Sequence, residues 1–219
     1  MNEMVASLHN TLINVGGDWL PDIAEVGLDQ CMEDGILREV PIVKTLYSVC
    51  KILYNVHERN LLKQTIHMVE GFRSYNVSEA ELDVYKRRYE ADARYAEKEL
   101  GRVLIILDRT IDAMKSRYIG RLYGAFVKQQ ISWERFCEMA EVTERLFMSD
   151  YNVFLRLVYG TPLEAGVKEN ELYSASRLAG TGVIIEGTES QLKTIAEIEQ
   201  RTYTVTKLGR QYASIIHEQ

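Results

Sequence analysis

The longest hydrophobic pattern in the chain runs from Ala96 to Lys128. Apolar residues recur there at steps of three and four, with charged residues between them, as in an amphipathic helix. We therefore predict one long central helix around which the rest of the chain packs. The recurring apolar positions are Leu100, Leu104, Leu107, Ile111, Met114, Tyr118 and Leu122.

Two further features of this predicted helix concern its packing. The run from Val103 to Leu107 is apolar at five consecutive positions, so we expect at least two neighbouring elements to cover it. A glycine inside a helix costs about 1 kcal/mol relative to alanine, unless close packing uses the missing side chain. Gly120 and Gly124 share one face of the helix, which indicates either a close helix crossing or a break after Met114.

Shorter helical patterns flank the central one. Before it we predict a short helix over residues 4–15, an acidic helix from Asp18 to Gly35, and a helix that begins at Pro41. The last of these continues as a bent helix or a hairpin near residues 58–60, and a helix capped by Ser78 and Glu81 follows it. After the central helix we predict a helix that is capped by Ser132 and buries Phe136 and Phe147, and then a short helix from Ser149 to Val158.

After the turn Gly160-Thr161-Pro162 the pattern changes type. A helix over residues 170–179 is followed by strands near 182–186 and 201–206 and by a helix over 207–216, which is the order of a winged-helix module with an enlarged wing. The predicted fold class is therefore mainly α. A multi-helix bundle around the long central helix would comprise residues 1–160, and a small C-terminal α+β winged-helix-like module would comprise residues 161–219.

Composition narrows the class of protein. Hydrophobic residues make up 46% of the 219 residues and the net charge is −6, so no overall positive field attracts nucleic acid or anionic lipid. The cysteines, Cys31, Cys50 and Cys137, are odd in number and widely spaced. Together with an N-terminus that lacks a signal-peptide pattern, they favour a cytoplasmic location.

Candidate catalytic chemistry is sparse in the sequence. Among the histidines only His67 has a carboxylate one turn away, Glu70, whereas a metal site needs three or four ligands. The glycines at Gly180 and Gly182 join a helix to a strand, which is the reverse of the order in a phosphate-binding loop. We therefore predict no catalytic residue, no metal, no cofactor and no small-molecule substrate, and hence no enzyme.

Two charged regions are candidate contact surfaces. Residues 1–39 carry eight acids and one base, either as a solvated face or as a docking face for a basic partner. Residues 161–219 carry six bases and eight acids, whereas DNA-binding modules usually have the opposite balance. The candidate acidic docking residues are Asp22, Glu25, Asp29 and Glu33, and the candidate partner or DNA contacts are Arg177, Arg201 and Lys207.

Several stretches resemble a known family. They are EVGLD at 25–29, EDGILREVPIV at 33–43, HERNLLKQ at 57–64, LIILDR at 104–109, GAFV at 124–127 and ISWERF at 131–136. Together they resemble an uncharacterised family of bacterial and prophage-borne helical proteins over about residues 20–150. The resemblance implies a helical fold and a mobile-element setting, and no catalytic residue. The tail separately resembles winged-helix modules in LAGTGVI at 178–184 and YTVTKLG at 203–209, although its wing is long and acidic.

Three classes of function remain open. The first is a non-enzymatic protein that binds another protein or oligomerises, in a prophage or host-conflict setting. The alternative is a winged-helix DNA-binding transcriptional regulator. A second alternative is a membrane-associated effector that would use residues 41–56, although we do not expect a membrane contact because two lysines interrupt that segment.

Overall fold

The computed structural model describes residues 3–14, 40–49, 56–160, 169–188 and 201–217. Those residues are mostly helical, with a small two-stranded antiparallel sheet near the C-terminus. The predicted class, mainly α with a small C-terminal α+β part, is confirmed. The chain divides into two compact units, Met1–Phe136 and Cys137–Gln219, whereas the sequence pattern placed the division after residue 160.

The first unit contains α1 to α6 and the start of α7. Their bounds are α1 Glu3–Ile13, α2 Pro41–Val49, α3 Val56–Ser74, α4 Glu79–Ala91, α5 Ala93–Arg109, α6 Ala113–Val127 and α7 Trp133–Arg145.

The second unit contains the rest of α7 and the C-terminal elements. A 3₁₀ turn at Met148–Asp150 precedes α8 Tyr151–Val158, α9 Glu169–Gly180, β1 Ile184–Thr188, β2 Arg201–Val205 and α10 Lys207–Ile216. The strands pair with Ile184 opposite Val205 and Thr188 opposite Arg201. The predicted order of helix, strand, strand and helix is therefore present.

The predicted single central helix is wrong, because the chain breaks between α5 and α6. Thr110 has an extended backbone with φ −85° and ψ 138°, and the Asp112 side chain caps α6 by accepting a hydrogen bond from the Met114 N–H at 2.9 Å. Asp is a favourable N-cap residue. Ile111 lies in the connection and is 86% exposed, and Met114, in the first turn of α6, is 39% exposed, so neither belongs to the buried stripe.

Helices α3 and α6 lie side by side and run in the same direction. The Ser116 hydroxyl, in the first turn of α6, donates to the Gln64 Oε1 in the middle of α3 at 2.7 Å. Further along, Gly124 of α6 lies against Tyr75, which directly follows α3. The parallel arrangement means that α4 and α5 must carry the chain back to the start of the pair.

The backbones of α3 and α6 touch where glycines remove side chains from the interface. A Cβ on Gly71 of α3 would overlap the carbonyl oxygen of Arg117, and a Cβ on Gly120 of α6 would overlap that of Met68. Interhelical distance depends on the side chains at the contact, and glycine permits the closest approach. The close helix crossing predicted from the glycine spacing is confirmed.

The N-terminal helices bury the faces that their sequences predict. Helix α1 buries Val5, Leu8 and Leu12, and α2 begins at Pro41 and buries Ile42, Val43 and Leu46. Of the two alternatives near residues 58–60, a hairpin is wrong, because α3 continues through these residues. The other alternative, one bent helix, depends on residues 50–55, which lie outside the described residues. The predicted acidic helix from Asp18 to Gly35 lies outside the described residues.

Caps at two later helices agree with the sequence. Ser78 and Glu81 form the predicted capping box of α4, and the Ser132 hydroxyl accepts from the Arg135 N–H at 3.2 Å at the start of α7. The predicted burial of Phe147 is wrong. Since α7 ends at Arg145, Phe147 is not on its inner face and is 59% exposed.

No helix within the described ranges is long and apolar enough to cross a membrane.

The helix crossing leads to a stability prediction. Gly120→Ala places a methyl group against the Met68 carbonyl, so we expect it to lower the free energy of unfolding by about 1 to 3 kcal/mol. Gly101→Ala is the matched control, because no atom of the described ranges lies within 4 Å of its Cβ position, and it should stabilise α5 by up to about 1 kcal/mol. Urea titration followed by circular dichroism measures both. Equal effects of the two substitutions would contradict the crossing.

Candidate functional site

A shallow open depression of about 580 Å³ lies on the outer side of α5. Its apolar lining residues come from four helices of the first unit and are Met4, Leu61, Gly101, Leu104, Ile105 and Trp133. We call this lining, together with Glu97, Lys98, Arg102 and Asp108 at its margin, the α5 surface. A depression of this size is comparable with sites that accept a side chain or a small ligand.

Helix α5 supplies both a buried face and this outer surface. Val103 and Leu107 are fully buried and Ile106 is 7% exposed, whereas Ile105 is 55% exposed. The expectation that at least two neighbouring elements cover this stretch is confirmed, since α1, α3 and α4 all contact α5, but they leave Ile105 exposed. Gly101, one turn before Ile105, leaves an empty notch on the same side of the helix.

Charged side chains surround the apolar centre of the α5 surface. Glu97 and Lys98 lie toward the N-terminal end of α5, Arg102 near its middle and Asp108 toward its C-terminal end. The Asp108 Oδ1 is paired with the Nε2 of His57 at 2.9 Å. An apolar centre with a polar margin is the arrangement that protein-binding surfaces share.

A buried ion pair holds α5 against α4. The Arg88 Nη2 of α4 donates to both carboxylate oxygens of Glu99 on α5 at 2.9 Å, and Glu99 is 2% exposed. Burial raises the pKa of the Glu99 carboxyl, against the opposing effect of the Arg88 charge. Since Arg88 occupies both oxygens and the carboxylate is enclosed, this pair has a structural role.

Tyrosines extend this buried polar group toward α6. The hydroxyls of Tyr85 and Tyr123 are 2.6 Å apart, and burial raises the pKa of both phenols. They therefore stay protonated and serve as a hydrogen-bonded pair within the core. In the part of the chain that the structure describes, no group of histidine, cysteine and carboxylate side chains could hold a metal ion.

His9 of α1 is buried with an unsatisfied ring nitrogen. Its ring stacks on Tyr89 of α4 at 3.5 Å between centroids, it is 5% exposed, and its Nε2 has no hydrogen-bond partner among the described residues. Burial lowers the pKa of His9 to about 4, although a hydrogen bond to Asn10 and the charge of Glu90 oppose the shift. The folded protein therefore contains neutral His9 at pH 7.

The candidate contact Arg177 is engaged inside the second unit. Its Nε donates to the Asp150 Oδ2 at 2.8 Å, and its Nη2 also binds Asp150. Ser174 donates to the Asp150 Oδ1 at 2.8 Å, and the guanidinium lies over the Phe147 ring. Asp150 is 1% exposed. Burial opposes its ionisation, but the hydrogen bonds from Arg177 and Ser174 outweigh burial and lower the pKa of Asp150.

The other sequence-predicted contact residues are dispersed. Lys207 is exposed at the first position of α10 and lines a separate cleft of about 430 Å³ together with Arg145 and Gly182. Arg201 begins β2 opposite Thr188. The acidic candidates Asp22, Glu25, Asp29 and Glu33 lie outside the described residues.

The sequence did not single out the α5 surface. A helix of this length with a five-residue apolar run gives no indication of which position faces outward, because the missing information is where the neighbouring helices lie. The available signal was the spacing of Gly101 and Ile105, which places a notch and a large apolar side chain one turn apart.

No protein-family model matches the chain, and comparisons with curated proteins and with solved structures find no match either. The resemblance to prophage-borne helical proteins therefore stays a prediction.

The state of His9 predicts how stability depends on pH. Because the folded pKa is about 4 and the ordinary value is 6.5, the unfolded chain binds the proton more readily between these values. The contribution of neutral His9 to the free energy of unfolding is complete above pH 6.5. It decreases as pH falls from 6.5 toward 4, by about 1 kcal/mol per pH unit. Urea titrations at several pH values measure it. His9→Phe keeps the aromatic stack and removes the titration, so its stability should fall less between pH 6.5 and 4.5; parallel curves would contradict this role.

The Arg177–Asp150 pair predicts a local effect in the second unit. Arg177→Ala leaves a buried carboxylate with fewer donors, so we expect it to destabilise the surrounding helices by about 1 to 3 kcal/mol. Hydrogen–deuterium exchange in α8 and α9 should increase. Lys207→Ala is the control and should leave both helices unchanged. If exchange in the Arg177 variant matched that of the control, Arg177 would not have the structural role assigned to it.

Proposed function

We propose that this protein is a non-enzymatic protein-binding module and that the α5 surface is its docking site. The observation that carries the proposal is the exposed Ile105 beside the notch at Gly101, within a margin of charged residues. A large apolar side chain next to an open notch can both insert into a partner and receive one.

The chemistry of this surface supports binding better than catalysis. Affinity at protein interfaces is concentrated in a few apolar or aromatic anchors that a polar rim shields from water. Ile105 and Trp133 provide apolar anchors, and Lys98 and Asp108 provide rim charges of both signs. The most enclosed carboxylates of the described residues, Glu99 and Asp150, already bind arginine side chains.

The two alternatives receive less support. Arg177, which a DNA-binding module would use, is neutralised by Asp150, and the tail has an acidic excess. The apolar face of α2, which a membrane effector would insert, is buried through Ile42, Val43 and Leu46. The cytoplasmic location and the mobile-element setting stay predictions.

Site-specific photo-crosslinking in cells of the source organism tests the proposal. Benzoylphenylalanine in place of Ile105 should form a protein adduct, whose crosslinked peptide mass spectrometry identifies. The matched control is the same probe in place of Ile111, which is 86% exposed but is not part of the α5 surface.

A second variant makes the test specific to the notch. Gly101→Phe fills the notch and should abolish the adduct at position 105 without unfolding the chain, because the added ring points into open space. If positions 105 and 111 gave the same adducts, or if filling the notch changed nothing, the α5 surface would not be the docking site.

A further inference from the structure

We infer that the partner of the α5 surface is a second copy of this chain, with the two α5 helices packed antiparallel about a two-fold axis. This inference rests on the proposed function and names the occupant of the same site. It is based on the order of residues along the exposed face of α5. In the antiparallel direction this face of one copy complements the same face of a second copy in shape and in charge.

The residues concerned lie on one face of the helix. Lys98, Gly101, Ile105 and Asp108 follow one another at steps of three, four and three, which is the spacing of the contact positions in a packed helix pair. All four line the same depression. Lys98 is exposed and Ile105 is 55% exposed, so this face is accessible to a partner.

A single two-fold axis satisfies two independent pairings. In an antiparallel pair about a two-fold axis, the residues that meet lie equally far on either side of the axis. An axis at the level of Val103 places Ile105 of one copy opposite Gly101 of the other. The same axis places Lys98 opposite Asp108, because position 103 is midway between 98 and 108 and also midway between 101 and 105.

Shape complementarity comes from the central pairing. Among the residues that the structure describes, no atom lies within 4 Å of the Gly101 Cβ position, so the Ile105 side chain of the second copy can enter the space above it. Two such insertions occur, one on each side of the axis, and both cover an apolar side chain that is otherwise exposed to water. The close approach of the two helices requires a residue without a side chain at position 101.

Charge complementarity comes from the outer pairing. Each end of the apolar centre would have one lysine ammonium facing one carboxylate of the other copy. The Asp108 Oδ1 already accepts from His57 within its own chain, and its second oxygen can accept from Lys98 of the other copy. If the two α5 helices were packed parallel, Lys98 would face Lys98 and Asp108 would face Asp108. The antiparallel direction avoids this repulsion between like charges.

Charge reversal tests the pairing. Lys98→Glu places carboxylates opposite each other twice in the dimer, and Asp108→Lys places ammonium groups opposite each other twice. Each single variant should weaken self-association at least about tenfold. An equimolar mixture of the two variants should regain association as a heterodimer, and the double variant should regain it as a homodimer. Lys207→Glu, which changes the net charge as Lys98→Glu does, should have no effect.

Sedimentation velocity of the full chain over a concentration series measures the association, with one variant carrying a fluorescent label in the mixture. Ile105→Glu should give a monomer and Ile111→Glu should not. Circular dichroism verifies that the variants are folded, and the rescued mixture does so independently, because unfolded variants cannot regain a specific dimer.

The outcomes separate this inference from the proposed function. A wild-type chain that stays monomeric at high concentration overturns the inference, as does a mixture of the single variants that regains no association. If the photo-crosslink at position 105 then joins a different protein, the docking site stands and only its occupant is wrong. If the probe at position 105 forms no adduct, or only the adducts that the probe at position 111 also forms, the proposed function fails as well.

Discussion

The direct contact between the backbones of α3 and α6 is the constraint on which the first unit depends. Gly71 and Gly120 remove the side chains that would separate the two helices, and the carbonyl groups of Arg117 and Met68 occupy the space. Because the pair is parallel, the chain must return between them, and α4 and α5 make that return. On this return α5 packs against α3 and α1, which leaves its inner face buried and its outer face exposed.

Polar groups in the core then fix the returning helices rather than perform chemistry. The Arg88–Glu99 pair joins α4 to α5, and the Tyr85–Tyr123 hydrogen bond joins α4 to α6. Buried charges and hydroxyls cost free energy unless each is paired, so a displacement of α4 that broke either contact would be unfavourable. The Arg88–Glu99 pair thereby helps to hold α5 in the orientation in which Ile105 is exposed.

The sequence predicted what local chemistry determines and failed where tertiary contacts decide. Pro41, Ser78 and Ser132 mark helix starts because proline, serine caps and capping boxes act within a few residues. The glycine spacing at Gly120 indicated the close crossing but not its partner. The sequence did not predict the break at Thr110, because apolar residues continue through it at the same steps of three and four. Only the cap at Asp112 distinguishes a break from a continuous helix. Whether Ile105 faces outward depends on which helices cover α5, and the sequence of α5 does not show which helices these are.

Two features of α5 remain unfavourable within one chain. A glycine in the interior of the helix at position 101 costs about 1 kcal/mol relative to alanine, and no atom in the described part of the chain fills the space that it leaves. Ile105 exposes more than half of its side chain to water. Such local conflicts are expected where a chain serves function rather than its own stability. The two conflicts lie one turn apart on the same face, and a contact from outside the chain that fills the notch and covers the isoleucine would remove both.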